Sequence, residues 1–178
     1  FFGLAVVLSF VIKRRPAHGR YHFGRIIKER KTNDNWRRIT WAHVCQGWRE
    51  GTFFFIVSIY VFLSTGSELS LGSFGLVNSG ISFLVYFIAS RFIKKKYRNR
   101  FILIGGCGLF ISIFLLIGNV TFMKLLIYGA SIAFFYPLLL IPYVSLTYDV
   151  IGRGWKAAEM RVEYIVVREL YLNGGRAL

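Results

Sequence analysis

The chain has 178 residues, 55% of them hydrophobic and 18% aromatic, with 23 Lys and Arg against 8 Asp and Glu for a net charge of +15. Apolar content this high excludes intrinsic disorder and exceeds what a soluble domain of this size carries. The charges are also unevenly placed. Residues 101–123 and 125–148 contain no Asp, Glu, Lys or Arg, and residues 51–90 contain only Glu68. Uncharged stretches of about 18 or more residues are long enough to cross a bilayer core of roughly 30 Å as helix. The predicted fold class is an all-α integral membrane protein, a polytopic helix bundle.

Residues 1–12 are apolar and run straight into Lys13-Arg14-Arg15. A signal peptide carries its charge before the apolar stretch. This run reads instead as the end of a transmembrane helix, and the chain as a piece of a longer membrane protein. Residues 13–39 read as a basic cytoplasmic linker. Within it Phe23 to Lys31 is amphipathic, so its Lys and Arg either lie against anionic headgroups or are solvated. His18 and His22 have a helical metal-ligand spacing, but Gly19 and the lack of nearby carboxylate or Cys partners argue against a metal.

The remainder, 40–178, reads as a partial transmembrane bundle with spans at about 40–64, 72–91, 101–119, 121–148 and an incomplete one at 161–178. The apolar segments do not alternate with period two, so a membrane barrel is not expected. Helices satisfy their own backbone groups in lipid. Orientation follows from the basic residues: ten lie in 13–38, six in 91–100 and three in 149–161, nineteen of the 23 in alternate loops. The positive-inside rule puts those loops in the cytoplasm. Basic residues arranged this way belong to a membrane protein, and no nucleic-acid partner is expected. Cys45 and Cys107 sit in apolar surroundings and read as small packing residues.

The order of a long basic inner linker, short outer turns and basic inner loops resembles the major facilitator superfamily. In that family two six-helix halves are joined by a long cytoplasmic loop. Motif support lies in the stretch Tyr86-Phe87-Ile88-Ala89-Ser90-Arg91-Phe92-Ile93-Lys94-Lys95, which is similar to the family's G-x-x-x-D-R-x-G-R-[RK] loop pattern. Arg91, Lys94 and Lys95 fit it; Tyr86, Ser90 and Ile93 stand where the pattern has Gly, Asp and Gly. The segment Tyr164-x-x-x-Arg168-Glu169-x-x-Leu172-Asn173-x-Gly175-Arg176 resembles the eleventh helix of a bacterial branch of the superfamily. The resemblance implies the C-terminal half of that fold, incomplete, from the end of helix six to the start of helix eleven. It implies a secondary-active transporter that moves a small solute by alternating access, in a bacterial plasma membrane. The implied partners are the lipid bilayer, a small-molecule solute with a coupling proton or cation, and the missing N-terminal half of the same protein.

Charges within spans are costly and usually face a cavity or a partner. The candidates for a substrate or proton path are His43, Gln46, Arg49, Glu50, Tyr136, Tyr143, Arg168, Glu169 and Asn173. His43, Gln46, Gly47 and Glu50 share one helical face by their spacing; Glu169, Asn173 and Arg176 share another. With opposite signs at similar depth, Arg49 is expected to meet Glu169, and Glu50 to meet Arg168. Tyr136 and Tyr143 share a face of the 121–148 span, where Pro137 and Pro142 each remove a backbone hydrogen bond. The two prolines should bend or locally open that helix as a gating element. Gly105-Gly106-x-Gly108 follows no strand, so it reads as close helix packing and not as a nucleotide loop. No Ser-His-Asp set, zinc signature or phosphate loop is present, so no catalytic residue, metal or cofactor is expected. A non-transporting membrane scaffold or receptor is the alternative reading, with a membrane-embedded acyltransferase behind it.

Overall fold

The structure, a computed structural model, describes residues 21–118 and 121–178, and every regular element among them is a helix. The expected helix end at 1–12, with His18 and the first part of the linker, lies outside the described residues.

The linker carries a short helix, α1 (Phe23–Glu29), whose Ile26 is fully buried. Its amphipathic pattern explains the docking. Ile26 joins Trp36, Ile39, Ile151, Tyr164 and Val167 in one apolar cluster, while Trp36 Nε1 donates to the Ile26 carbonyl at 3.1 Å. Helix α2 (Asp34–Thr52) starts at Asp34 and not near Thr40. The reason is local. Asn33 caps the helix by accepting from Trp36 N at 3.1 Å, and Asp34 places negative charge in the first turn. The cap sets the helix start, and the first apolar residue does not.

Past Thr52 the helix widens into a π turn over Phe53–Val57 and continues as α3 (Ser58–Thr65). Gly66 ends it in the left-handed region, at φ +59°. Ser67 then caps α4 (Glu68–Phe92), accepting from Ser70 N at 3.4 Å. A 3₁₀ turn at Lys95–Tyr97 leads into α5 (Arg98–Ile113), which closes with a second 3₁₀ turn at Phe114–Leu116. Thr121 caps α6 (Phe122–Ile151), and α7 spans Arg161–Arg176. The segments Glu68–Phe92, Lys95–Leu116 and Phe122–Ile151 are long and apolar enough to cross a membrane.

Helix α6 is the hub. It packs along α5 and α4, and α2 packs along α7, with only a few places where α2 touches α6. Glycine permits the closest approaches. A Cβ on Gly47 would lie 2.0 Å from the Leu172 carbonyl oxygen, and one on Gly175 2.1 Å from that of Val44. Likewise a Cβ on Gly105 would lie 2.7 Å from Leu139 N. Away from these seams the surface is apolar. Leu76, Phe83, Leu84 and Ile88 on α4 are exposed, as are Leu103, Ile104, Phe110 and Ile111 on α5.

Pro137 and Pro142, expected to bend or locally open this helix, are fully buried inside α6, which is helical on both sides of each. Pro137 cannot donate to the Ala133 carbonyl, but Ser82 Oγ on α4 does so at 3.5 Å, the outer limit of such a bond. A neighbouring helix thus meets the backbone need that the proline creates.

Candidate functional site

The face of α2 that carries His43, Gln46 and Glu50 turns toward α6. Their spacing puts them on one side, and the two α6 tyrosines meet them. His43 is 2% exposed, and its Nδ1 lies 2.6 Å from the Tyr143 hydroxyl and 2.8 Å from the Ile39 carbonyl oxygen. With a proton on Nδ1 the ring donates to Ile39; without it, Nδ1 accepts from Tyr143. Each tautomer therefore has a partner. Two turns further along, Tyr136 donates its hydroxyl proton to Glu50 Oε1, and Gln46 Nε2 donates to the same oxygen at 2.8 Å. Glu50 Oε2 accepts from Arg176 Nη2 at 2.6 Å and from Nε at 3.0 Å. One carboxylate thus joins three helices.

These three residues share a level. At 1.5 Å per residue Glu50 lies about 24 Å along α2 from Asp34. Tyr136 lies about 22 Å back from the end of α6, and Arg176 about 22 Å along α7. Beside them is a cavity of about 570 Å³. Its polar lining is Arg49, Glu50, Asn78, Ser82, Tyr136 and Arg176, and its apolar lining includes Phe53, Phe55 and Ile132. The size falls in the range of small-molecule sites. The guanidinium carbon of Arg49 sits 4.1 Å from the Tyr136 ring centroid, a cation–π contact at the cavity wall. The π turn at Phe53 opens on the same space, and such turns recur at functional sites.

The expected cross-pairs do not form. Glu50 does pair with α7, but with Arg176. Arg168 instead bonds its neighbour Glu169 and lies 5.7 Å from the Tyr148 ring centroid. Arg49 meets the Tyr136 ring and not Glu169. Depth explains the change. Starting α2 at Asp34 and not near Thr40 moves Glu50 roughly 9 Å further along its helix. Arg168 is only about 10 Å along α7, too low to reach it. Asn173 accepts from Arg176 Nη1 at 3.0 Å through Oδ1 and so holds the arginine from behind. In the basic loop, Lys95 bridges to Asp149 at 3.2 Å, Arg91 covers the Phe87 ring, and Lys94 is exposed. These three lie at the end of the bundle away from the cavity.

The chain is 57% identical over 175 residues to an uncharacterized protein, YqgE, of Bacillus subtilis (strain 168). The match takes in 98% of this chain and 41% of that relative, so the chain spans less than half of the relative's length. No protein-family model and no solved structure matches it.

Three participants escaped the sequence reading: Arg176 as the partner of Glu50, and Asn78 and Ser82 on the α4 wall. Asn78 Oδ1 is buried without a hydrogen-bond partner among the described residues, as is Gln46 Oε1. Both belong to side chains at or beside the cavity. A signal for Arg176 was present. Gly47 and Gly51 form a G-x-x-x-G step, and Gly51 sits against the backbone of Arg176, where a Cβ would be 2.8 Å from its carbonyl oxygen. That step marks the helix-packing face and so the residue of α7 that lies beside Glu50.

Proposed function

We propose that this chain is part of a secondary-active membrane transporter of the major facilitator type, which moves a small solute by alternating access. The observation that carries the reading is the Glu50–Tyr136–Arg176 cluster. It places an ion pair between two amphipathic helices, hydrogen-bonded to Tyr136 of the long apolar helix α6 and beside a cavity of solute size. Charge in such a position is costly and serves a pathway more often than stability. The exposed apolar faces of α4 and α5 suit contact with lipid. The basic loops then lie on the cytoplasmic side.

The proposed step is local. As a carboxylate, Glu50 holds Arg176 through charge-assisted bonds and draws α7 against α2 and α6. A proton on Glu50 removes the charge that holds Arg176, and α7 is free to part from the cluster. An acceptor group of the solute then competes with the Glu50 carboxylate for the same arginine, and the proton on Glu50 favours the solute. Alternating access further needs the other half-bundle of the protein to rock against this one, so the segment by itself inserts without transporting.

The test uses the gene product that contains this chain, reconstituted in vesicles under a pH gradient. Saturable uptake of an unmodified solute is expected, with Glu50→Gln abolishing the pH-driven part while the protein still folds. A chemically converted solute, or uptake indifferent to Glu50→Gln, overturns the reading. Orientation has its own check. With Cys45 and Cys107 replaced, a membrane-impermeant thiol reagent should label Ser67→Cys from outside intact cells and leave Asn99→Cys unlabelled. The reverse pattern would invert the topology.

A further inference from the structure

We propose that a second site, at the end of the bundle away from the Glu50 cavity, binds a phosphate group. It is a cleft of about 560 Å³ where the start of α2, the Lys95–Tyr97 turn and the end of α6 converge. Arg38, Lys95, Lys96, Arg98 and Arg153 line it, with Asp149 as the carboxylate among them. Asp149 already accepts from Arg98 at 2.7 Å and from Lys95 at 3.2 Å. Arg38, Lys96 and Arg153 have no carboxylate partner among the described residues. These three come from separate parts of the chain, so the fold assembles the positive charge.

Two features favour phosphate over a simple carboxylate. Cations approaching from several sides suit an anion with several acceptor oxygens, and guanidinium groups match phosphate in two-bond geometry. The first turn of α5 borders the same cleft through Arg98 and Asn99, so the positive end of that helix faces it. Ile39, Leu146 and Val150 form the apolar part of the lining. A phosphate that carries an apolar tail would therefore find both kinds of contact, as an anionic lipid headgroup does; free phosphate would use only the cations. The site is independent of the transport reading.

The test takes the purified gene product through lipid exchange into micelles doped with phosphatidylglycerol or with phosphatidylcholine. Bound lipid is measured by mass spectrometry, and a second arm adds inorganic phosphate. The variant Arg38→Gln/Lys96→Gln/Arg153→Gln changes three exposed side chains and should fold. It should weaken phosphatidylglycerol retention by roughly tenfold or more. The variant Lys31→Gln/Arg100→Gln/Arg161→Gln removes the same charge outside the cleft and should stay within about twofold of the parent. Lys96→Gln alone, falling between them, guards against a folding defect in the triple variant. Phosphate that displaces the lipid, or that protects the parent protein from heat by itself, assigns the site to free phosphate. Lipid retention indifferent to added phosphate assigns it to the headgroup. Equal retention in both triple variants, with no protection by phosphate, overturns the proposal.

Discussion

Gly47 and Gly51 let α2 lie against α7, and Gly105 and Gly108 let α5 lie against α6. The two seams share a device and differ in chemistry. At the first, Gln46 and Glu50 flank the glycines and reach Tyr136 and Arg176. At the second, the atoms nearest the glycines belong to the apolar residues Phe135 and Leu139. In an apolar solvent helices associate by close packing, because the hydrophobic effect offers no preference for a neighbour over a lipid chain. Beside its glycines the α5–α6 seam has packing alone, the Arg98–Asp149 pair lying at the far end of the two helices. The α2–α7 seam adds the Glu50–Arg176 charge pair.

The largest effect should come from filling a seam. Gly47→Val puts side-chain atoms where a Cβ would already be 2.0 Å from a backbone carbonyl oxygen. The helices must separate, at about 3 kcal/mol or more. Loss of monodisperse protein in detergent is the expected readout. Gly106→Ala is the control from the other seam. Its Cβ would meet only Leu139 Cδ1 at 3.8 Å, so thermal stability should hardly change. If Gly47→Val folds like the parent, the close α2–α7 approach is wrong.

Next in size is the charge pair. Glu50 is 18% and Arg176 45% exposed at the side chain, so neither partner is fully desolvated. Breaking the pair by Glu50→Gln or Arg176→Gln should cost about 1–2 kcal/mol, below the figure for a fully buried pair. In a double-mutant cycle the two changes should couple by about 1 kcal/mol. Glu50→Gln with Arg168→Gln should be additive, because those residues are not partners in the structure. Coupling of the second pair without the first would restore the arrangement that depth argues against.

Arg49 comes third. Its cation–π contact with Tyr136 is worth about 1 kcal/mol by analogy with partly exposed pairs. Arg49→Gln should therefore cost about that much, and Tyr136→Phe should leave the contact in place while removing the hydroxyl from Glu50. A loss in Arg49→Gln that vanishes in a Tyr136→Leu background would assign the cost to the ring.

How much of this could be read from residue order follows from what each signal measures. The long apolar helices were legible, since 72–91 lies within Glu68–Phe92 and 121–148 runs from the N-cap Thr121 into Phe122–Ile151. Hydropathy reports where charge is absent. It does not report caps, so the polar start of α2 at Asn33–Asp34 was missed, and with it the true depth of Glu50. The π turn was equally hidden, because Phe53–Val57 is apolar throughout and carries no phase. At the site, periodicity revealed the His43–Gln46–Glu50 face and the Tyr136–Tyr143 face. It did not reveal which charges meet, because partner choice depends on where two helices cross. Asn78 and Ser82 stayed unseen because small polar residues and glycines recur all round α4 without a preferred side.

The smallest effect separates the hub helix from both seams. Ser82 Oγ serves the Ala133 carbonyl that Pro137 leaves without its helical donor. Hydrogen bonds between helices in lipid average about 0.6 kcal/mol, and this one is long, so Ser82→Ala should cost no more than that. The size alone would decide little, because many substitutions lie within it. The cycle with Pro137→Ala is sharper. Alanine returns a backbone N–H to the Ala133 carbonyl, and that carbonyl then has a partner inside its own helix. Ser82→Ala should cost measurably less in the Pro137→Ala background than in the parent, read as the midpoint of thermal unfolding in one detergent. An equal cost in both backgrounds would mean that Ser82 contributes through the cavity wall and not through the proline's missing bond. A larger cost beside alanine would show that α4 and α6 are held at this point by packing that the proline itself provides.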